Sequence, residues 1–405
     1  MLGCGVVGAE VVRQLAARHS DVQFVLGDIN LAAAESLASE IGSAACAVRV
    51  DITERQNLRA VLSGAALVFN AVGPFYKSAL PVIDAAIETR VDYMDINDDH
   101  DVAAQLVLDP SYHQRATEAG IKILIGFGHG PGLQNVLARL GADRLDRVNA
   151  IRLCAIVPFA FRLFSPAVLD HMFHVLGGES TQYLEGQYQK MSGMTGARKV
   201  SFLPPFRTYT AHYWGHGEPI TVPHFIPGVK EVSGRFAFFP QAGNDLMGRL
   251  IDLGFGSRDP VPELGISPLK FLTHYAASEA GGKHFTMNTG EEPFKYANQV
   301  EVEGTRNGSR VRMIFEQHGS FGEDEKLLSE GHAAAGHSFD PTPTCARIAI
   351  ESLLGGELKG TGVLAPEACL DPERYVREVV RETGMALHER EEIIRTDSFR
   401  LATEV

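Results

Sequence analysis

The first 126 residues alternate short, continuously apolar segments with helical ones, and few architectures accommodate that pattern. Val22–Leu26, Ala45–Val50, Ala66–Asn70, Val91–Asp95 and Ile121–Ile125 read as strands. Leu31–Ile41, Glu54–Leu62, Ser78–Glu88 and Tyr112–Ala119 have helical spacing. Strands that are apolar on both sides must be covered on both faces, which calls for a parallel sheet between layers of helices. Right-handed crossovers then make it doubly wound, an α/β sheet of the Rossmann type.

Past Gly126 the pattern changes. Val148–Val157 and Gly234–Phe239 read as strands and Ala167–Leu176 as a helix. Asn298–Val302 and Ser309–Glu316 flank Asn307-Gly308, a dipeptide suited to two-residue hairpin turns because both residues take positive φ. Residues 180–230 and 240–296 carry no assignable period. Thr344–Leu354 reads as a helix, and Pro372–Arg395 as a charged one. The expected organisation is a nucleotide domain over residues 1–130, an α+β domain with an antiparallel sheet over 131–340, and C-terminal helices over 341–405 that return to the first domain.

Gly3-Cys4-Gly5-Val6-Val7-Gly8 matches G-x-G-x-x-G and opens an apolar helix. Such glycines allow a tight turn, close backbone approach to a pyrophosphate, and close helix–strand packing. Asp28, followed by Ile29 and Asn30, ends the next strand, where a carboxylate accepts ribose hydroxyls and repels a 2′-phosphate. NAD is therefore expected, with NADP the less favoured cofactor. Asp51 and Ile52 follow the third strand and are placed beside the adenine. Asn70, Ala71, Val72, Gly73 and Pro74 follow the fourth and are placed near the nicotinamide ribose. A first strand normally needs about five residues. Only Met1-Leu2 precede Gly3, which predicts a truncated or missing central strand.

Charge narrows the partners. Lys and Arg number 37 against 50 Asp and Glu, a net −13 with no basic stripe, which disfavours nucleic acid. No stretch has the apolar length of a membrane span, no leader-like segment precedes the glycine motif, and five scattered cysteines read as reduced thiols. A cytoplasmic protein with a small-molecule substrate is expected.

Catalytic candidates are Tyr76 after the Gly-Pro turn, Asp95 after the fifth strand, and His129 in a glycine-rich hinge. Each has a plainer reading, as a packed ring, a cap or a loop histidine. Asn97 and Asp98 share the edge with Asp95. Lys77, Arg162 and Arg207 are candidates for holding substrate, with Arg152 behind them. His171-x-x-His174 and His212-x-x-x-His216 have zinc-like spacing, but no third ligand is visible, so no metal is expected.

The glycine loop, Asn70–Tyr76, Asp92–Asp95, Gly126–Gly132, Thr342–Leu354 and Gly360–Glu367 together resemble the saccharopine dehydrogenase-like family. Its members include saccharopine reductase, lysine 6-dehydrogenase and carboxynorspermidine dehydrogenase. The resemblance implies NAD(P)-linked chemistry at a carbon–nitrogen bond of an amino acid or its conjugate, and a homodimer. The substrate would then carry an amine and a carboxylate. His129-Gly130 and the cluster Arg207–His216 depart from the family pattern. Two alternatives remain open. One is reduction of a C=C or C=O bond in a pocket lined by Tyr209, Tyr213, Trp214, Phe236, Phe238 and Phe239. The other is a nucleotide-binding protein that has lost catalysis.

Overall fold

The computed structural model describes residues 1–159, 166–285, 287, 295–320 and 341–394. Its first layer is a parallel sheet in the order Ala45–Arg49, Phe24–Asp28, Met1–Gly3, Leu67–Asn70, Asp92–Asp95, Lys122–Leu124, Gly362–Leu364. In chain order this is 3-2-1-4-5-6, the dinucleotide-binding arrangement, with one C-terminal strand added at the edge.

The central position is held by a short segment. Leu2 pairs with both Gly27 and Asn70. Leu2 N donates to Phe69 O at 2.9 Å and Gly3 N to Gly27 O at 2.9 Å, while Leu2 O accepts Ala71 N at 2.8 Å. Leu2 is 2% exposed, so its side chain fills the sheet's core position. Of the two expected outcomes the truncated strand is the one found: three residues join the two halves of the sheet, because each flanking strand donates to or accepts from them.

Both faces are covered, as continuous apolar strands require. Val11, Val12 and Leu15 of the helix Val6–Arg18 share one core with Cys345, Ile348 and Ala349 of the helix Thr342–Leu354. Leu58, Val82, Ile83, Leu106 and Ala116, from four successive helices, form the core on the other side.

The second layer is a nine-stranded sheet. Its main path runs Ala386–Ile393, Ser309–Ser320, Lys295–Arg306, Arg147–Pro158, Glu231–Phe239, Thr208–Tyr213, Arg198–Ser201. The hairpin Glu179–Leu184 and Gln187–Ser192 joins through Val232 and Tyr183. All pairings are antiparallel except Arg147–Pro158 with Glu231–Phe239. Asn307 and Gly308 have φ of 51° and 75°, the turn that the dipeptide implied.

One reading is corrected here. Pro372–Thr383 is helical, but Ala386–Ile393 is a strand at the edge of the second sheet, paired with Ser309–Ser320. Gly384, at φ +65°, ends the helix and turns the chain away. The C-terminal segment thus serves both layers: a strand and helices in the first, an edge strand in the second.

Candidate functional site

Each glycine of the motif meets a different demand. Gly3 has φ +88°, and a Cβ there would stand 2.8 Å from the Ala71 carbonyl carbon. A Cβ on Gly8 would lie 2.0 Å from the Gly3 oxygen. A Cβ on Gly5 would meet nothing within 4 Å. Gly5 caps the helix Val6–Arg18, whose first turn has no capping side chain, so its N–H groups face outward. Gly5 is open because the fold leaves room beside the helix start, which suits a phosphate.

A cavity of about 410 Å³ extends from this loop along the carboxyl edge of the sheet. It is lined by Gly3, Gly5, Asp28, Ile29, Asp51 and Ile52, and continues past Ala71 and Val72 to Gly73. Asp28 spans its mouth: Oδ2 accepts Cys4 N at 2.7 Å and Oδ1 accepts Asn30 N at 2.8 Å. Val6 is exposed, whereas Gly8 is packed beneath the loop. Asn70 is fully buried; its side chain accepts Val72 N at 3.1 Å and donates to Tyr93 at 3.2 Å, which shapes the turn into Gly73-Pro74. An open glycine, uncapped helix N–H groups and a carboxylate on the second strand fit a nicotinamide dinucleotide.

A second set of groups begins where that cavity ends. Pro74 leads into the helix Phe75–Thr89, and Tyr76 N donates to Asp99 Oδ2 at 2.8 Å. The loop after Asp92–Asp95 carries Asp98, Asp99, His100 and Asp101, and the helix Pro166–Gly177 brings His171 and His174 against it. His171 Nε2 lies 3.0 Å from Asp98 Oδ2, and its Nδ1 lies 3.1 Å from Asp99 Oδ1. Burial opposes a charge on His171, but the two carboxylates outweigh it and lift its pKa to about 10. His174 Nε2 is 3.5 Å from Asp101 Oδ2 and 3.9 Å from Asp99 Oδ1. Asp99 Oδ1, His174 Nε2 and His100 Nδ1 are all buried without an aligned hydrogen bond. Such orphans are uncommon and call for a ligand, ion or water.

The candidates from the sequence separate into three groups. Tyr76 is at the cluster: its ring stacks on His174 at 4.4 Å and its hydroxyl donates to Asp170 at 3.0 Å. Burial and Asp170 push its pKa well above the ordinary phenol value, so it donates hydrogen bonds but releases no proton near neutrality. Lys77 is exposed, with its ammonium 5.2 Å from the Tyr76 ring centroid. Asp95 lies beneath the cluster, fully buried, and accepts from Tyr93 at 2.7 Å, Gly126 N at 2.8 Å and Asn97 N at 3.0 Å. Burial raises its pKa to about 6. His129 packs into the hinge against the second sheet, with Nε2 2.5 Å from Gln317. Arg207 is exposed beside Thr208–Tyr213, and Arg162 lies outside the described residues.

Asp99, Asp101, Asp170, Glu218 and Arg258 were not anticipated. The signal was the run Asn97-Asp98-Asp99-His100-Asp101 directly after a strand at the binding edge. Arg258 grips Asp170 with two bonds of 2.8 and 2.9 Å. Arg152 is bound to Glu231, Glu301 and Glu303 in the second sheet. The aromatic residues divide between the cores: Phe236 and Phe238 on one side of the sheet, Phe239 with Tyr209 on the other.

Residues 1–124 match the family described as Saccharopine dehydrogenase NADP binding domain. The nucleotide-binding domain is saccharopine dehydrogenase-like. Over the whole chain the fold is that of the apo saccharopine dehydrogenase (L-Glu forming) from Saccharomyces cerevisiae, with TM-score 0.64 and 16% identity over 96% of this chain and 98% of that one. A homospermidine synthase from Legionella pneumophila in complex with NAD gives TM-score 0.60 and 10% identity, over 96% and 90% of the two chains. The match over residues 1–124 is to an NAD(P)-binding domain, and the whole chain shares the fold of these two structures. No described helix is long and apolar enough to cross a membrane.

Proposed function

We propose that the chain is an NAD-dependent oxidoreductase acting at the carbon–nitrogen bond of a small amine, an amino acid or its conjugate. The observation that carries this reading is the cluster of Asp98, Asp99 and Asp101 beside the turn Gly73-Pro74 at which the dinucleotide cavity ends, where Asp99 Oδ1 and His174 Nε2 have no aligned hydrogen bond. An ammonium supplies N–H donors and positive charge to these carboxylates, so it satisfies an otherwise costly buried group. Arg258 is already engaged by Asp170, which leaves the cluster acidic rather than shaped for a carboxylate. The substrate's carboxylate would therefore be held from elsewhere.

When bound, the nicotinamide exchanges a hydride with the substrate carbon. Asp28 holds the adenosine ribose, and the helix Val6–Arg18 faces the pyrophosphate with its free N–H groups. Asp99, fixed through Oδ2 by Tyr76 N and with Oδ1 3.1 Å from His171 Nδ1, supplies negative charge toward the substrate nitrogen, and Asp101 beside it is the more accessible carboxylate. The stacked Tyr76 and His174 rings form one wall and restrict the approach.

An absorbance screen at the nicotinamide band, with amines and with imine-forming carbonyl–amine pairs, tests this. Turnover with amines is expected, and Asp99→Asn should raise KM about 10–100-fold, the worth of a hydrogen bond to a charged group. Turnover confined to carbonyls or alkenes overturns the amine assignment. NAD preference is checked separately by melting temperature, since ligands that bind the folded state raise it. NADH should stabilise more than NADPH, and Asp28→Asn should narrow the gap by removing the charge that repels a 2′-phosphate. A homodimer in the cytoplasm is part of the same reading, supported by the family resemblance and by reduced cysteines.

A further inference from the structure

We propose that Asp98, His171 and His216 bind one divalent cation of the zinc class, which ties the nucleotide domain to the second domain. Asp98 comes from the loop after Asp92–Asp95, His171 from the helix Pro166–Gly177, and His216 from the segment after Thr208–Tyr213. Asp98 Oδ2 is 3.0 Å from His171 Nε2 and 4.0 Å from His216 Nε2, and the three atoms all lie within 4.8 Å of one another. Ligands about 2.0–2.1 Å from a tetrahedral zinc stand roughly 3.4 Å apart. The two separations from Asp98 bracket that value, so small side-chain shifts bring both to it.

His216 decides between an ion and a plain ion pair. A protonated His171 between Asp98 and Asp99 explains His171 without a metal. It does not explain His216, which is 3% exposed and directs Nε2 toward Asp98 from 4.0 Å, beyond hydrogen-bond range. Its ring is held at Nδ1 and on one face. Nδ1 meets Glu218 Oε2 at 2.6 Å, and its face stacks flat on Trp214 at 3.8 Å with 6° between planes. Glu218 is itself 2% exposed. A buried carboxylate behind a histidine is the support that metal-binding imidazoles have, because it sets the tautomer and turns the other nitrogen's lone pair outward. His171 repeats the pattern, with Asp99 Oδ1 3.1 Å behind Nδ1.

Two imidazoles and one carboxylate suit zinc and its first-row neighbours, whereas magnesium and calcium prefer oxygen alone. Three protein ligands leave the fourth position open. The ligand set excludes Asp101 and His174, and it touches the proposed substrate contact only through Asp99, which stands behind His171.

The test uses the full chain, stripped with EDTA, desalted and titrated with Zn²⁺ against a chromophoric competitor. About one equivalent per chain is expected, with Co²⁺ giving visible bands of a low-coordinate nitrogen–oxygen site. Glu218→Gln should weaken Zn²⁺ binding about 10–100-fold, as loss of an outer partner does. His216→Ala and Asp98→Asn should weaken it further, and His212→Ala should not change it. Absence of stoichiometric uptake by the wild-type chain overturns the proposal without reference to any variant. So does uptake that survives both His216→Ala and Asp98→Asn, or that disappears with His174→Ala instead. Circular dichroism and thermal melting in EDTA separate ligand loss from misfolding, because a folded variant keeps the wild-type spectrum and a cooperative transition.

Discussion

Gly5→Ala is expected to leave the chain folded and to weaken NADH binding by about 100-fold or more, which corresponds to roughly 3 kcal/mol. The two halves of that result have separate causes. Gly5 has φ −74°, which alanine adopts freely, and a Cβ there meets no protein atom within 4 Å. Replacing glycine at a compatible backbone site costs nothing and stabilises by about 0.4–1 kcal/mol through the unfolded chain. The same methyl occupies the space where the pyrophosphate must approach the helix start. Gly8→Ala is the contrasting case. Its Cβ would lie 2.0 Å from the Gly3 oxygen, so the loop or the helix must move and stability falls together with binding. Thermal melting with and without NADH distinguishes the two variants. A Gly5→Ala chain that binds NADH as well as the parent would mean that the cofactor does not approach this loop.

The nucleotide-binding layer was legible because its signals are local. Apolar strands, helical periods and the glycine motif each occupy a few consecutive residues, and the order of strands follows from short connections. Asn307-Gly308 was readable for the same reason. The edge strand Ala386–Ile393 was not: six of its eight residues are exposed, so nothing selects an alternating apolar pattern, and its charges read as a solvated helix.

The cluster beside the cavity was invisible for a different reason. His171 and His174 are three residues apart and share Asp99, yet otherwise they part: His171 lies against Asp98, and His174 against Asp101. His212 and His216 part company too, since only His216 reaches Asp98. The third ligand that the spacing lacked comes from a loop more than seventy residues earlier, and only the docking of one domain on the other supplies it. Asp95 shows the opposite effect. Its position at the strand end was read correctly, but three hydrogen bonds turn its carboxylate into the sheet, where it supports the loop that carries Asp98 and Asp99.

Glu367→Gln is expected to make the protein more stable at pH 8.5 by about 3 kcal/mol, with the advantage shrinking to a few tenths near pH 4.5. Glu367 lies on the short helix Pro366–Cys369 and is 2% exposed. Oε2 accepts Asn135 Nδ2 at 3.0 Å, whereas Oε1 is buried without a partner. Burial raises its pKa from 4.5 to about 7, and the nearby carboxylate of Glu218 adds to the rise. Thr221 and Asn135 oppose it, and Cys369 is the other titratable group in contact. The sign follows from proton counting. Below pH 4.5 both folded and unfolded chains hold the proton, and no stability is lost. Between 4.5 and 7 the unfolded chain releases it while the folded chain keeps it, so stability falls as pH rises. Above 7 the cost is complete, and a shift of about 2.5 units at 1.36 kcal/mol each gives the stated size. Glutamine keeps the shape and the acceptor for Asn135 but has no proton to lose. Urea unfolding of both chains across this range measures the difference directly. A gap that stays constant with pH would show that Glu367 ionises normally and that its buried oxygen is satisfied by water.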